Sequence, residues 1–139
     1  MKDIDLKSNK SPKWFAANDH EGGVSHFHFR IGPRSSIWSP PTDVFETDDF
    51  IIVRVEVAGM ENGEFAISLE DQILTIQGAR FDPPERRAYH QMEIRFGEFI
   101  SQVGLHRAVD QDKIDAKYED GFLRIALPKT KPHQVEIKE

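Results

Sequence analysis

Serine and histidine lie close together in two places, and these are the residues that nucleophilic catalysis by a hydroxyl requires. Ser25 is followed by His26, and Ser101 lies shortly before His106. A serine becomes a nucleophile when a histidine takes its proton and a sharp turn exposes its hydroxyl. Neither pair lies in the G-x-S-x-G pattern of such a turn. Catalysis is therefore one hypothesis, pairs of surface residues are the other, and we predict that the chain is not an enzyme.

Three histidines near the start of the chain offer possible metal ligands. His26 and His28 have the H-x-H spacing that places two imidazoles on one side of a strand, and His20 precedes them. Only Asp19 and Glu21 are at hand as carboxylate ligands. The alternative is a set of solvent-facing histidines in a flexible segment. We predict this alternative, and no metal or other cofactor.

Composition excludes several further kinds of chemistry. The chain of 139 residues contains no cysteine, which rules out disulfides, zinc thiolates and a cysteine nucleophile. It also lacks the G-x-x-x-x-G-K-[ST] loop that holds nucleotide phosphates. With a net charge of −6 and only short basic clusters, at Arg86-Arg87 and at Lys129 and Lys131, it is a poor candidate for binding nucleic acid. The lack of a long apolar run predicts no membrane span, and we predict a cytoplasmic protein.

The stretch from Ile114 to Pro128 has the pattern of a β-hairpin. Ile114, Ala116 and Tyr118 alternate with charged residues, and Leu123, Ile125 and Leu127 alternate again. Between the two runs, Asp120-Gly121 supplies the positive φ of a tight turn. Pro128 has no N–H to give to a ladder and ends the second strand.

Similar alternation marks the other strands. Phe50 to Val57 places Ile51, Val53, Val55 and Val57 on one face. With turn signals between them, we count about seven strands and no amphipathic helix, which predicts an antiparallel β-sandwich. The remaining expected features are strands at 65–69 and 74–78, closed by Gly78, a loop at 81–88 containing Pro83-Pro84, and a long strand or bent pair at 89–105 with Gly97 at its bend.

The chain divides into three segments. Residues 38–128 carry the sandwich, and residues 129–139 form an extension behind Pro132. Residues 1–37 are irregular and polar but contain the aromatic residues Trp14, Phe15, Phe27 and Phe29. This first segment is either a disordered arm or an apolar arm that orders on contact with other subunits or unfolded chains.

The hairpin also resembles a family signature. Ala116, then Asp120-Gly121, Leu123 and Leu127-Pro128-Lys129 match the pattern A-x-x-x-[ND]-G-x-L with a following L-P-K. This pattern is typical of the α-crystallin domain of small heat shock proteins, and Gly97-Glu98-Phe99 matches a further block of it. Over roughly residues 40–137 the chain resembles the bacterial branch of that family. The resemblance implies an immunoglobulin-like sandwich with flexible N- and C-terminal extensions.

The resemblance also implies a function and its residues. The function is that of an ATP-independent holdase chaperone of the stress response, which binds non-native client proteins and assembles from dimers into larger exchangeable oligomers. A co-chaperone or scaffold module of the p23-like class, without oligomerisation, is the alternative. The implied residues are a groove at Phe65, Ile67, Leu69, Ile114 and Ala116, tail anchors Val135 and Ile137 that dock in it, a dimer loop with Phe81, Arg87, Tyr89 and Met92, and client or arm contacts at Trp14, Phe15, Phe27 and Phe29.

One block departs from the family pattern. The positions that usually carry arginine after G-x-F are Ser101 and Gln102, and the position of a usual proline is His106. Those arginines typically hold the subunit pair through charge contacts. We therefore expect a dimer held by pairing between strands rather than by the usual ion pairs.

Overall fold

Two antiparallel sheets pack face to face in the computed structural model, which describes residues 2–3, 37–60, 64–131 and 135–139. The larger sheet has the strand order β1-β7-β8-β3-β2 and the smaller has the order β4-β5-β6. This confirms the predicted β-sandwich. The strands are β1 (Lys2–Asp3), β2 (Thr42–Glu46), β3 (Phe50–Glu56), β4 (Ala66–Glu70), β5 (Ile73–Arg80), β6 (Gly97–Gly104), β7 (Asp115–Glu119) and β8 (Phe122–Pro128), and one 3₁₀ turn covers Gln111–Lys113.

Alternation along the strands determines which side chains form the core. In β3, Ile51, Val53 and Val55 are buried, whereas Arg54 and Glu56 between and beyond them are exposed. The β7–β8 hairpin turns at Asp120 and Gly121, which both have positive φ, and so fulfils the predicted turn. The other large members of the core are Val57, Leu74, Ile76, Phe99, Leu123, Ile125 and Leu127.

Phe99 packs directly against the backbone of the neighbouring strand. Gly78 lies opposite Phe99 in the β5–β6 ladder, and a Cβ built on Gly78 would come within 2.3 Å of the ring. Trp38 covers the ring from another side, with centroids 5.4 Å apart. The sheet therefore needs glycine at position 78 because the phenyl ring occupies the space of a side chain.

The structure corrects three expectations drawn from alternation. Gly78 does not close its strand, because β5 continues to Arg80. The long strand predicted from 89 to 105 is wrong over 89–96, which has no partner strand in the described part of the chain. Gly97 begins β6 with φ +94 rather than bending the middle of a strand. A further strand that the sequence did not indicate, β1, pairs with β7.

No helix within the described ranges is long and apolar enough to cross a membrane. The only helical element there is the 3₁₀ turn before β7, where the Asp110 carboxylate accepts a hydrogen bond from the Asp112 amide at 3.2 Å. This turn brings the chain into the edge of the larger sheet.

Candidate functional site

The resemblance predicts a docking groove between β4 and β7, and partly buried apolar side chains pack against the core there, so we call this surface the groove. β4 is an edge strand of the smaller sheet, and β7 lies at the same side of the larger one. The two sides meet where the rings of Phe65 and Tyr118 lie 5.3 Å apart. Partly buried apolar side chains line the groove and rest on the core: Ile67, Leu69, Ile114 and Tyr118.

The residues that the resemblance implied for this groove fall into two layers. Ile67, Leu69 and Ile114 are partly exposed. Phe65 and Ala116 are buried beneath them. Tyr118 also belongs to the partly exposed layer, although the resemblance did not imply it. It alternates with Ile114 and Ala116 along the strand, so all three side chains lie on one face, and this spacing could have identified it.

Tyr118 also fixes the turn that carries the chain from one sheet towards the other. Its hydroxyl donates to the Val57 carbonyl oxygen at 2.8 Å and accepts from the Met60 amide at 3.3 Å. Both backbone groups are thereby paired at the end of the groove. The side chain thus serves as a wall of the groove and as an anchor for the turn.

The outer edge of β7 carries a strand from the same chain. In β1, Lys2 is the antiparallel partner of Tyr118 and Asp3 the partner of Lys117. The ladder contains these two residue pairs. The start of the chain therefore reaches the strand that borders the groove.

The tail anchors do not lie in their own groove. Val135 is 77% exposed and Ile137 is 90% exposed. These are two apolar side chains at i and i+2, which project to one side of an extended segment. The described end of the chain therefore leaves both side chains exposed to solvent.

Residues 81–96 form the loop that connects β5 to β6 in the smaller sheet, and several polar side chains contact one another within it. Arg87 donates to the Asp82 carboxylate at 2.9 Å and to the Pro83 carbonyl at 2.7 Å, and Tyr89 donates to the same carboxylate at 3.1 Å. Desolvation and the bond to Asp82 raise the pKa of Tyr89. The bond to Asp82 also raises the pKa of Arg87. Three polar side chains are therefore tied into one cluster.

The same loop presents apolar side chains to solvent. Phe81 is 69% exposed and Met92 is 64% exposed, and Ile94, which sequence reasoning missed, is equally open. The loop contains the four implied dimer residues: Arg87 and Tyr89 meet at Asp82, whereas Phe81 and Met92 are exposed.

Arg80 holds the base of this loop. Its guanidinium donates to the carbonyl oxygens of Arg95 and Ala58 and lies 4.6 Å from the centroid of Trp38. Partial burial lowers the pKa of Arg80. Because both ends of the loop meet at this side chain, Arg80 positions the loop without lying in it. No family motif named it, and only its place at the end of a strand before the proline pair could have suggested it.

On the opposite side of the sandwich, a cleft of about 680 Å³ opens between β2 and the end of β6. The Glu46 carboxylate contacts Arg107 at 2.9 Å and Lys129 at 3.3 Å, which fixes the end of β2. β2 is an edge strand of the larger sheet. The lining includes Val44, Phe45, Gln102, Leu105, His106 and Arg107.

The described residues provide no geometry that supports the catalytic hypothesis or the metal-binding hypothesis. Ser101 is buried and its hydroxyl is bonded to Thr42, while His106 is exposed at the cleft. Within the ranges that the structure covers, no group of three acidic, histidine or cysteine residues could hold a metal ion. The remaining candidates lie outside the described residues: Trp14, Phe15, His20, Ser25, His26, Phe27, His28 and Phe29.

Comparison with known proteins gives a consistent picture. Residues 43–139 match the family model described as Hsp20/alpha crystallin family. Small heat shock protein C2 of Rickettsia felis is 33% identical over 104 residues, which cover 71% of this chain and 68% of that protein. A probable 15 kDa heat shock protein of Leptospira interrogans is 29% identical over 105 residues, covering 76% of this chain and 81% of that protein.

Solved structures agree with these sequence relatives. Heat shock protein 16.0 from Schizosaccharomyces pombe superposes with a TM-score of 0.60 at 29% identity, over 72% of this chain and 98% of that one. The hspA protein from Xanthomonas axonopodis gives a TM-score of 0.62 at 26% identity, over 68% and 96% of the two chains.

Proposed function

We propose that this chain, which belongs to the Hsp20/alpha crystallin family of small heat shock proteins, acts as an ATP-independent holdase. Membership of that family supports a chaperone role. In this function it binds partly unfolded proteins and slows their aggregation, and its subunits assemble into exchangeable oligomers. The observation that carries the proposal is the pairing of an apolar groove with an apolar tail that lies outside it. A chain without cysteine also suits the reducing cytoplasm that we propose as its location.

Tail docking is the first step of the proposed assembly. Val135 and Ile137 of one subunit enter the groove of another as a short strand, with their side chains against Ile67, Leu69 and Ile114. Burial of each anchor contributes about 1.5–3 kcal/mol before the cost of ordering the tail. One tail is therefore a weak link, and many tails together hold an assembly whose subunits still exchange.

The dimer is the second step. We propose that the loop of one subunit crosses to the outer edge of β2 in the other, which has no partner strand among the described residues. An edge strand offers unpaired N–H and C=O groups, and the cleft beside β2 offers space for side chains such as Phe81 or Met92. Arg80 keeps both ends of the loop together while its middle projects.

Client binding follows from the same surfaces. A partly unfolded protein exposes apolar side chains and strand edges, and these are the groups that the groove and the β2 edge accept. Release of tails or separation of dimers uncovers both surfaces. Nothing in this scheme uses nucleotide hydrolysis.

The test is a client aggregation assay in the absence of nucleotide. Light scattering of a thermally unfolding client protein is followed with the full chain at an equimolar subunit ratio, and a non-chaperone protein of similar size serves as control. We expect suppressed scattering that is unchanged by added ATP. Scattering equal to that of the control would remove the holdase assignment.

A further inference from the structure

The outer face of the larger sheet carries three basic side chains in one row. Arg54 of β3 is the cross-strand partner of Arg124 in β8, and Arg124 is the partner of Lys117 in β7. Each alternates with core residues along its strand, so all three side chains project away from the smaller sheet. Directly opposed residues of antiparallel strands have Cα atoms about 5 Å apart, and like charges at such positions destabilise a sheet. The row therefore opposes the stability of the sheet unless anions lie near it.

Of these three cations, only the central one lacks an ion pair among the described residues. The Arg54 guanidinium contacts the Asp43 carboxylate at 2.7 Å, and the Lys117 ammonium lies 3.9 Å from the Asp115 carboxylate. Arg124 takes part in none of the ion pairs that the described residues form. Because it lies between two other cations, an anion from another molecule relieves the repulsion most at this position.

An exposed aromatic side chain lies next to the central cation. Phe122 precedes Arg124 by two residues in β8, so both lie on the same face, and Phe122 is 41% exposed. A hollow of about 590 Å³ lies over both side chains. Its lining also includes Arg54, Asp115, Lys117, Glu119, Asp120 and Ala126. The surface thus offers a cationic contact and an apolar contact about 7 Å apart along the strand.

We propose that this cationic row, formed by Arg54, Lys117 and Arg124, binds an acidic and partly apolar segment of another polypeptide. Residues i and i+2 of an extended segment have the same spacing as Phe122 and Arg124, so a carboxylate binds Arg124 while an apolar side chain packs on Phe122. The acidic side chains of the lining disfavour a nucleic acid, whose phosphates are closely spaced. This surface is the face of the sheet rather than the groove or the β2 edge, so the inference goes beyond the proposed function and does not rest on it.

Binding of a designed peptide tests the proposal. A labelled peptide that repeats Glu-Ser-Leu-Ser presents carboxylates and leucines alternately on one side, and it is titrated against the full chain. We expect Arg124→Gln to weaken binding about tenfold, as for the loss of one charge-assisted hydrogen bond. Arg86→Gln removes the same charge from an exposed position outside the row and is the matched control, with unchanged affinity. Asp43→Asn removes the carboxylate that competes for Arg54 and should tighten binding.

Further controls separate the two contacts and exclude a purely structural role. Peptides that repeat Lys-Ser-Leu-Ser or Glu-Ser-Ser-Ser should both bind more weakly than the first peptide. Without peptide, Arg124→Gln should melt no lower than Arg86→Gln, because it relieves repulsion in the row. A lower melting temperature would assign Arg124 to the fold and overturn the proposal. Equal peptide affinity of the parent and Arg124→Gln, or tighter binding of inorganic polyphosphate than of the peptide with the same dependence on Arg124, would also overturn it.

Discussion

The hydroxyl groups of Ser101 and Thr42 lie 2.8 Å apart and join β6 to β2 across the rim of the cleft. Thr42 donates its single hydrogen to the Pro40 carbonyl at 3.0 Å, so Ser101 is the donor in the pair. Ser101 is only 5% exposed. At position 101, where the resemblance leads to the expectation of an arginine, the structure has a small hydroxyl that bonds Thr42.

Removal of either hydroxyl should weaken the fold to a similar extent. Ser101→Ala and Thr42→Val are each expected to lower the free energy of unfolding by about 0.5–1.5 kcal/mol, and the double variant by less than the sum, because the two share one bond. Urea denaturation of the four proteins gives the coupling. Ser68→Ala, on the exposed face of β4, is the control. Strictly additive losses would show that the two hydroxyls do not interact.

Packing of Phe99 on Gly78 gives a second prediction. Gly78→Ala places a methyl group where the ring lies and should lower the free energy of unfolding by about 1–3 kcal/mol. Gly104→Ala is the matched control, because a Cβ at that position meets nothing within 4 Å. Thermal denaturation of both variants makes the comparison. Equal melting temperatures for the two variants would refute the packing argument.

Tyr118 allows its ring and its hydroxyl to be tested apart. Tyr118→Phe retains the contact with Phe65 but removes the bonds to the Val57 carbonyl and the Met60 amide. We expect a loss of about 1–2 kcal/mol in the free energy of unfolding, since both backbone groups lie at a partly buried site. Tyr89→Phe, in the exposed loop, should change stability less. A larger loss for Tyr89→Phe would contradict the anchoring role.

Titration of Tyr89 tests the polar cluster of the loop. Tyr89 and Tyr118 are the two tyrosines of the chain, so Tyr118→Phe leaves Tyr89 as the only phenol. Desolvation and the bond to Asp82 raise the pKa of Tyr89, so its absorbance change at high pH should have a midpoint above the ordinary value of about 10. Because the raised pKa favours the neutral phenol, the contact is complete below the ordinary value and is lost as pH rises through the raised one.

Asp82→Asn is the companion variant for this titration. It removes the carboxylate and should move the midpoint down towards the ordinary value. Arg86→Ala, which leaves the cluster intact, should not move it. A midpoint at the ordinary value in the parent protein, or one that is insensitive to Asp82→Asn, would show that the cluster does not form in solution.

The sequence predicted the parts of the fold that depend on local pattern. Alternation placed Ile51, Val53 and Val55 in the core, and Asp120-Gly121 marked the hairpin turn. Alternation gave a wrong prediction where a strand also depends on a partner strand. Residues 89–96 alternate well enough to suggest a strand, yet a ladder requires a neighbouring edge, and the single chain offers them none among its described strands.

Less of the site follows from the sequence. Family motifs pointed to Ile67, Leu69 and Ile114, which lie partly exposed against the core, and to the tail, and docking of the tail on these side chains stays a prediction. They did not point to Arg80 or β1, because each acts through backbone groups that are distant in sequence. Such contacts depend on how the sheets meet, and no local spacing encodes them.

Native mass of the assembly tests the central claim most directly. The full chain is compared with the Val135→Ala, Ile137→Ala variant, and with Glu136→Ala, Lys138→Ala as a control that changes the same tail without its apolar pair. We expect the parent and the control to form large oligomers and the first variant to fall towards dimers. Identical masses for all three proteins would contradict docking of the tail in the groove between β4 and β7.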